Sequence, residues 1–419
     1  MNTRLGAVVV TFAMVVPAIA GAQAPPTCDS DNGGITLVQG FCAVVVADSV
    51  GPARHFVVAP NGDLFVALRN LRNAKGGVIA LRDTNRDGRM DVRERFGDNG
   101  GSGIALRGSD LYFATDDAVL RYRVRNGALR PTTPPDTIVG QLATGRSHSA
   151  KTIALRGNDL FVNIGAPSNA CQVQDRQPQS PGQDPCPELE TRAGIWRFDA
   201  RRTGQTQRDG ERWGTGIRNA VAITVDSRGT LWAAQHGRDN LVQNWPAHFD
   251  TTESAELPAE ELLRVSRGDD FGWPYCFYDG AARKKVLAPE YGGNGETVGR
   301  CASAKNPVAA LPAHWAPNGL VIYEGRQFPA RYRSGAFIAF HGSWNRAPRP
   351  QGGYNVVFVP FARDSAGAYE VFATGFPGDS VQPNGARHRP TGVDVGLDGS
   401  LYISDDRGGR IWRVVPVRE

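Results

Sequence analysis

Methionine is nearly missing, three in 419 residues, and no Cys-x-x-Cys or clustered Cys/His spacing occurs. That removes zinc-stapled folds, and without Cys-x-x-Cys-His no covalently attached c-type haem is encoded. There is no Gly-x-Ser-x-Gly elbow for a nucleophilic hydrolase, and no Gly-x-Gly-x-x-Gly that opens a helix after a strand. Lysine- or arginine-rich runs and interleaved aromatic–basic patches are absent too, and the formal charge is a mild +5. Nucleic acid is therefore not an expected partner, while a basic site for a small acidic ligand stays open. After Ala20 no apolar run is long enough to span a bilayer.

What is present is glycine (50) and proline (28), the profile of many short strands and many turns. At the start, Arg4 precedes an apolar run from Leu5 to Ala20, and Ala20-Gly21-Ala22 offers a small-x-small cleavage signal. Residues 1–22 thus read as a secretory signal peptide and 23–419 as the mature chain, periplasmic or secreted. The six cysteines fall into sequence-local couples, Cys28 with Cys42, Cys171 with Cys186 and Cys276 with Cys301. In an oxidising compartment three disulfides closing short loops is the economical pairing.

One unit recurs: an apolar strand, a tight Asp/Asn/Gly turn, and a second apolar strand opening with Leu or an aromatic. It reads HFVVAPNGDLFVAL from His55, SGIALRGSDLYFAT from Ser102, KTIALRGNDLFVNI from Lys151, AVAITVDSRGTLWAAQ from Ala220 and PTGVDVGLDGSLYISDD from Pro390. A looser copy starts at Asn318, and most copies are followed by a further strand. Asn-Gly and Asp-Gly between alternating apolar runs are strong hairpin signals. Six such units predict an all-β fold, a six-bladed β-propeller forming one domain. Residues from Gly34 to Val46 would supply a strand that closes the ring, and the stretch around 272–317 reads as an insertion.

The repeat also locates the chemistry. His148, Asn219 and Arg389 each stand twelve residues ahead of the leucine opening a second strand, Leu160, Leu231 and Leu401. They should converge at one channel mouth, with Arg218 and Arg387 beside them. Loops after second strands add Gln235–Asp239, His341–Arg346 and Asp405–Arg407. Singly each could be an ordinary solvated loop charge; three in equal phase favour a concave site.

The stretches GRSHSAKTIAL, GTGIRNAVAITVD, AAQHGRDNL, GDDFGWPYC, APNGLVIYEG, FIAFHGSWNR and RHRPTGVDVGLDGSLYISDDRGGRIWRV carry a resemblance to the soluble sugar dehydrogenases that use pyrroloquinoline quinone (PQQ), over roughly Phe41 to Val414. FHGSWNR and GWPYC place it nearer the sorbosone-dehydrogenase-like branch than the glucose-oxidising one. The resemblance implies a PQQ-dependent aldose or sorbosone dehydrogenase: hydride moves from sugar to quinone, and an external acceptor takes the electrons. It implies His148 as general base and Arg218, with Asn219, at the cofactor's reactive carbonyl. Arg387 and Arg389 would hold or cover the quinone, with Lys151 and Arg346 as further cationic contacts. Arginine suits this because PQQ is a planar tricarboxylate. A cofactor-site calcium would take Gln235, Gly237 and Asp239. The chain departs from the family pattern at Arg238, where a proline carbonyl is expected, at Ala220, where proline usually follows the Arg-Asn pair, and at Lys151, where arginine is common.

Independently, DTNRDGRMDVRE sets Asp83, Asn85, Asp87, Asp91 and Glu94 at EF-hand loop spacing, a second calcium candidate or a plain turn. Two other functions remain compatible with the fold: a calcium-dependent lactonase-type hydrolase, and a non-catalytic carbohydrate- or protein-binding propeller.

Overall fold

The computed structural model describes residues 27–417 apart from 126, 146 and 363–364; the expected signal peptide, 1–22, lies outside them. Six sheets stand around a central axis, one for each repeat read from the sequence, antiparallel except for a parallel two-residue outer strand on the second and third. Their innermost strands are Ala53–Val58, Gly101–Arg107, Ile153–Arg156, Ala222–Val225, Pro317–Tyr323 and Pro390–Val395. Each packs against the next, and the last returns to the first, so the ring is closed. The closing blade pairs the chain's early strand Phe41–Ala47 with its late strand Ile411–Pro416.

The second strands, such as Leu64–Leu68 and Gly335–Phe340, are buried along their whole length. Neighbouring blades cover both faces, so these strands lack the polar alternation of a half-exposed sheet. Six apolar clusters fill the six gaps between adjacent blades, for example Val46, Phe56, Leu64 and Ile411 between the closing blade and the first. Turns between first and second strands use Gly62 and Gly399 at φ of 91° and 87°, which side chains rarely adopt.

Three disulfides form, Cys28–Cys42, Cys171–Cys186 and Cys276–Cys301. The stretch from 272 to 317 divides. A hairpin, Cys276–Asp279 with Lys284–Leu287, stands apart, but Ala309–Leu311 is the outer strand of the fourth blade and Pro317 already belongs to the fifth. Among the described residues no helix is long and apolar enough to cross a membrane.

Candidate active site at the channel mouth

Loops leading into first strands and loops leaving second strands open at one end of the ring. His148 sits there with φ +51°, a left-handed backbone that histidine adopts seldom and that clusters at functional sites. Its Nδ1–H donates to the Ala166 carbonyl at 2.6 Å, and Ala166 N–H in turn donates to the Arg218 carbonyl at 2.8 Å. A carbonyl only accepts, so neutral His148 carries its proton on Nδ1 and its lone pair on Nε2. Burial, then the nearby Arg218 charge, lowers the ring to about 3, so it stays neutral at ordinary pH.

Asn219 is the neighbour that equal phase foresaw. A Cβ on Gly165 would lie 2.7 Å from both His148 Cβ and Asn219 Oδ1; only glycine lets the two side chains approach. Asn163 accepts from Ala220 N–H at 3.1 Å and donates to Asn219 Oδ1 at 3.4 Å. The family's proline at 220 would lack that N–H, so alanine there has a structural use.

Arg218 is buried. Its guanidinium donates to the Asn169 carbonyl (3.2 Å), Asn169 Oδ1 (3.1 Å), the Gly237 carbonyl (2.7 Å) and Asp239 Oδ2 (3.1 Å). Asp239 also receives Arg176 at 3.1 Å and Asn345 at 2.7 Å. Burial alone would raise its carboxyl, but Arg218, His314 and Arg176 outweigh burial and hold it far below the usual range. Beneath them Glu260 accepts the N–H groups of Gly237 and Ala316 and is pushed by burial to about 7.

The oxygens expected to hold a calcium, those of Gln235, Gly237 and Asp239, have protein partners in this arrangement. Gln235 Oε1 accepts Arg218 N–H, and the Gly237 and Asp239 oxygens accept the Arg218 guanidinium. A side-chain cation already fills the position, and the set as arranged does not fit a metal. Arg238, beside it, is buried against Glu290, which also accepts Trp245 Nε1–H at 2.9 Å.

The second half of the mouth gathers on Asp406. It accepts Arg54 Nη1–H at 2.8 Å and His341 Nε2–H at 2.7 Å, with Arg69 at 3.6 Å. Arg389 reaches the carbonyls of His341 and Gly342, both at 2.9 Å, its guanidinium 5.6 Å from the Tyr354 ring. Arg387 is exposed. Arg54, Arg69, Arg176, Arg218, Arg387, Arg389 and Arg407 bring guanidinium groups to these loops, interleaved with Asp98, Asp116, Asp117, Asp175, Asp239, Asp405 and Asp406. The guanidinium groups suit an anionic, planar ligand. Asn345 Oδ1 is buried there with no donor from the protein, a position that a ligand hydroxyl could complete.

Two expected cations lie differently. Lys151 is fully buried, its Nζ on the Ser149 carbonyl at 2.6 Å, and burial lowers it to about 8. Arg346 turns to the carbonyls of Ala255 and Ala313, at 3.0 and 2.8 Å, and anchors its loop. The Asp83–Glu94 segment joins the third and fourth strands of the first blade, at the end of the ring away from the mouth. Asp83 and Asp87 accept the turn's own N–H groups, Asp91 accepts Thr84, and Glu94 lies on a strand 3.8 Å from Arg130. No helix flanks it, and among the described residues no three His, Cys, Asp or Glu side chains are grouped to hold a metal. Arg54, Asn169 and Arg176 were not foreseen. Arg54 precedes the first repeat by a single residue, whereas Asn169 and Arg176 sit in a long loop where repeat phase gives no guidance.

Fold and mouth together define a six-bladed propeller whose channel mouth gathers His148, Asn219 and several arginines. The chain belongs to the TrAA12-like family, whose model matches residues 35–416. It is 26% identical to a pyrroloquinoline quinone-dependent pyranose dehydrogenase of Coprinopsis cinerea, over 90% of this chain and 54% of that protein. An uncharacterised protein of Borreliella burgdorferi is 29% identical over 48% of this chain and 47% of its own length. The chain thus spans about half the length of the curated relatives it matches. In fold it is similar to the holo PQQ domain of the Coprinopsis enzyme, with TM-score 0.73 and 20% identity over 91% of this chain and 97% of that one. A calcium structure of a Trichoderma reesei Family AA12 enzyme gives 0.74 and 18% over 95% and 100%.

Proposed function

We propose that the protein is a PQQ-dependent dehydrogenase that oxidises an aldose or related sugar and passes the electrons to an external acceptor. The observation that carries this is His148, its proton on Nδ1 and Nε2 turned from that bond, beside the Arg218–Asn219 pair in an arginine-lined mouth. Arg387, Arg389 and Arg69 would hold the quinone's carboxylates, with Asn219 and Arg218 toward its carbonyls. When bound, the quinone supplies the hydride acceptor, chemistry no side chain offers. The protein's own task is to take a proton. Nε2 of His148 accepts it from the sugar's anomeric hydroxyl while the Ala166 carbonyl keeps the ring oriented. Asp239 fixes Arg218, so the cation next to the base does not wander. A sorbosone-like aldehyde remains within the same proposal, as do export to an oxidising compartment and a mature chain starting near Gln23.

The test is titration of purified protein with PQQ, followed by dye reduction across aldoses and sorbosone. Stoichiometric binding and sugar-dependent reduction are expected. His148→Ala should keep the binding and lose about 10²- to 10⁴-fold in rate, the usual weight of a general base. Absence of binding at micromolar quinone would sink the proposal and leave recognition or hydrolysis. Run in calcium and in chelator, the same titration reports whether the oxygens that Arg218 occupies give way to a metal.

A further inference from the structure

Of the eight tryptophans, seven are buried or half-buried; Trp344 is 58% exposed. It lies at the mouth, in the loop after the second strand of the fifth blade. An exposed indole would ordinarily fold back onto apolar surface, but its neighbours are fixed on both sides. Gly342 donates to the Trp315 carbonyl at 3.0 Å and accepts Arg389 at 2.9 Å. Ser343 is buried; its hydroxyl donates to Gln351 at 2.7 Å and its carbonyl accepts Tyr354 O–H at 3.1 Å. Asn345 is tied to Asp239 and Arg346 to Ala313. The loop therefore holds a large aromatic face in water, one residue from a side chain that touches the Arg218–Asp239 pair.

We propose that Trp344 is a specificity-determining residue that stacks on the apolar C–H face of a pyranose ring. This deepens the sugar-oxidising reading and rests on it. A closed ring presents a flat apolar face that an indole covers well, and a short open-chain aldehyde does not. The site should then prefer ring-form aldoses through KM rather than through the chemical step, since stacking away from the reacting carbon is the same before and in the transition state.

The experiment compares wild type, Trp344→Ala and Trp344→Phe as PQQ-loaded protein, on D-glucose and on glyceraldehyde. Binding of 1,5-anhydro-D-glucitol, a pyranose with no anomeric hydroxyl, is measured by calorimetry. Trp344→Ala should raise KM for the pyranose at least tenfold with kcat within twofold, leave glyceraldehyde kinetics unchanged, and weaken the anhydro sugar in parallel. Trp344→Phe should recover most of the loss. Equal losses on both substrates, no change on either, or weakened PQQ binding would each overturn the assignment. Should wild type bind the anhydro sugar yet oxidise nothing, the dehydrogenase reading fails and the calorimetric arm still decides Trp344.

Discussion

The tautomer and the charge state of His148 are set by one carbonyl, by burial and by one neighbouring charge. The Ala166 oxygen dictates the tautomer, and burial beside Arg218 keeps the ring deprotonated down to about pH 3. The consequence for rate has a definite sign. A base whose pKa is lowered is lost only when pH falls through that lowered value, so kcat/KM should show no acid limb near 6.5. A profile in the free enzyme that is flat from pH 5 to 8, as far as this group is concerned, is expected. An inflection at the ordinary histidine pKa that disappears in His148→Ala would mean that His148 is solvated in the working enzyme rather than held neutral by burial. Asn219 and Arg389 were legible in sequence because each stands in the same phase of a repeat. Arg218's grip on Gly237 and Asp239 was not, since no spacing says that a guanidinium rather than a metal occupies a set of oxygens. Lys151 shows the same limit. Its position beside the site was readable, but its complete burial depends on how the ring closes over it.

At the scale of elements, the hairpin Cys276–Asp279 with Lys284–Leu287 and the turn Pro289–Tyr291 brace the site from behind. Lys285 is buried on Glu261 Oε2, and Glu261 accepts Gln235 Nε2–H at 3.0 Å, the same Gln235 that holds the Arg218 backbone. Among the described residues, Glu290 is the acid that pairs with buried Arg238. Glu290→Gln leaves that arginine uncompensated in a dry setting, and removal of one partner of a buried pair costs about 3–5 kcal/mol. A fall in the denaturation midpoint is expected, together with weaker quinone binding as the 236–239 loop loosens. Unchanged stability would show that Arg238 finds other partners. Sequence marked this region as an insertion, and its charges become meaningful once the fold sets them under the loops they neutralise.

For the whole molecule, buried titratable groups set the response to pH. Burial lowers His55 and His236 to about 4 and His148 to about 3, with His341 lowered as well. The unfolded chain would protonate these below about 6.5, so the stability they confer is whole above that pH and drains as pH falls toward 4. Glu260 and Asp394 act oppositely: burial raises them to about 7 and about 6, which favours the folded state at low pH and costs it as pH rises. Burial raises Glu188 and Glu261 as well, and His314 is raised, against its burial, by its bond to Asp239, so these three act on the carboxyls' side. Replacing one lowered histidine, as in His55→Gln, should therefore make the urea midpoint fall less between pH 6.5 and pH 5 than it does in the wild type. An unchanged fall would show that His55 is charged in the fold.

The strand Ile411–Pro416 completes the last blade only by meeting Phe41–Ala47. Its blade also carries Arg387, Arg389 and Asp406, half of the mouth. During synthesis, then, five blades can exist while the binding site cannot: His148 and Arg218 would wait in an open arc for partners still to come. Ligand capture in this protein is a reading of chain completion, and a product truncated before residue 411 should be blind to the quinone however well its other blades have formed.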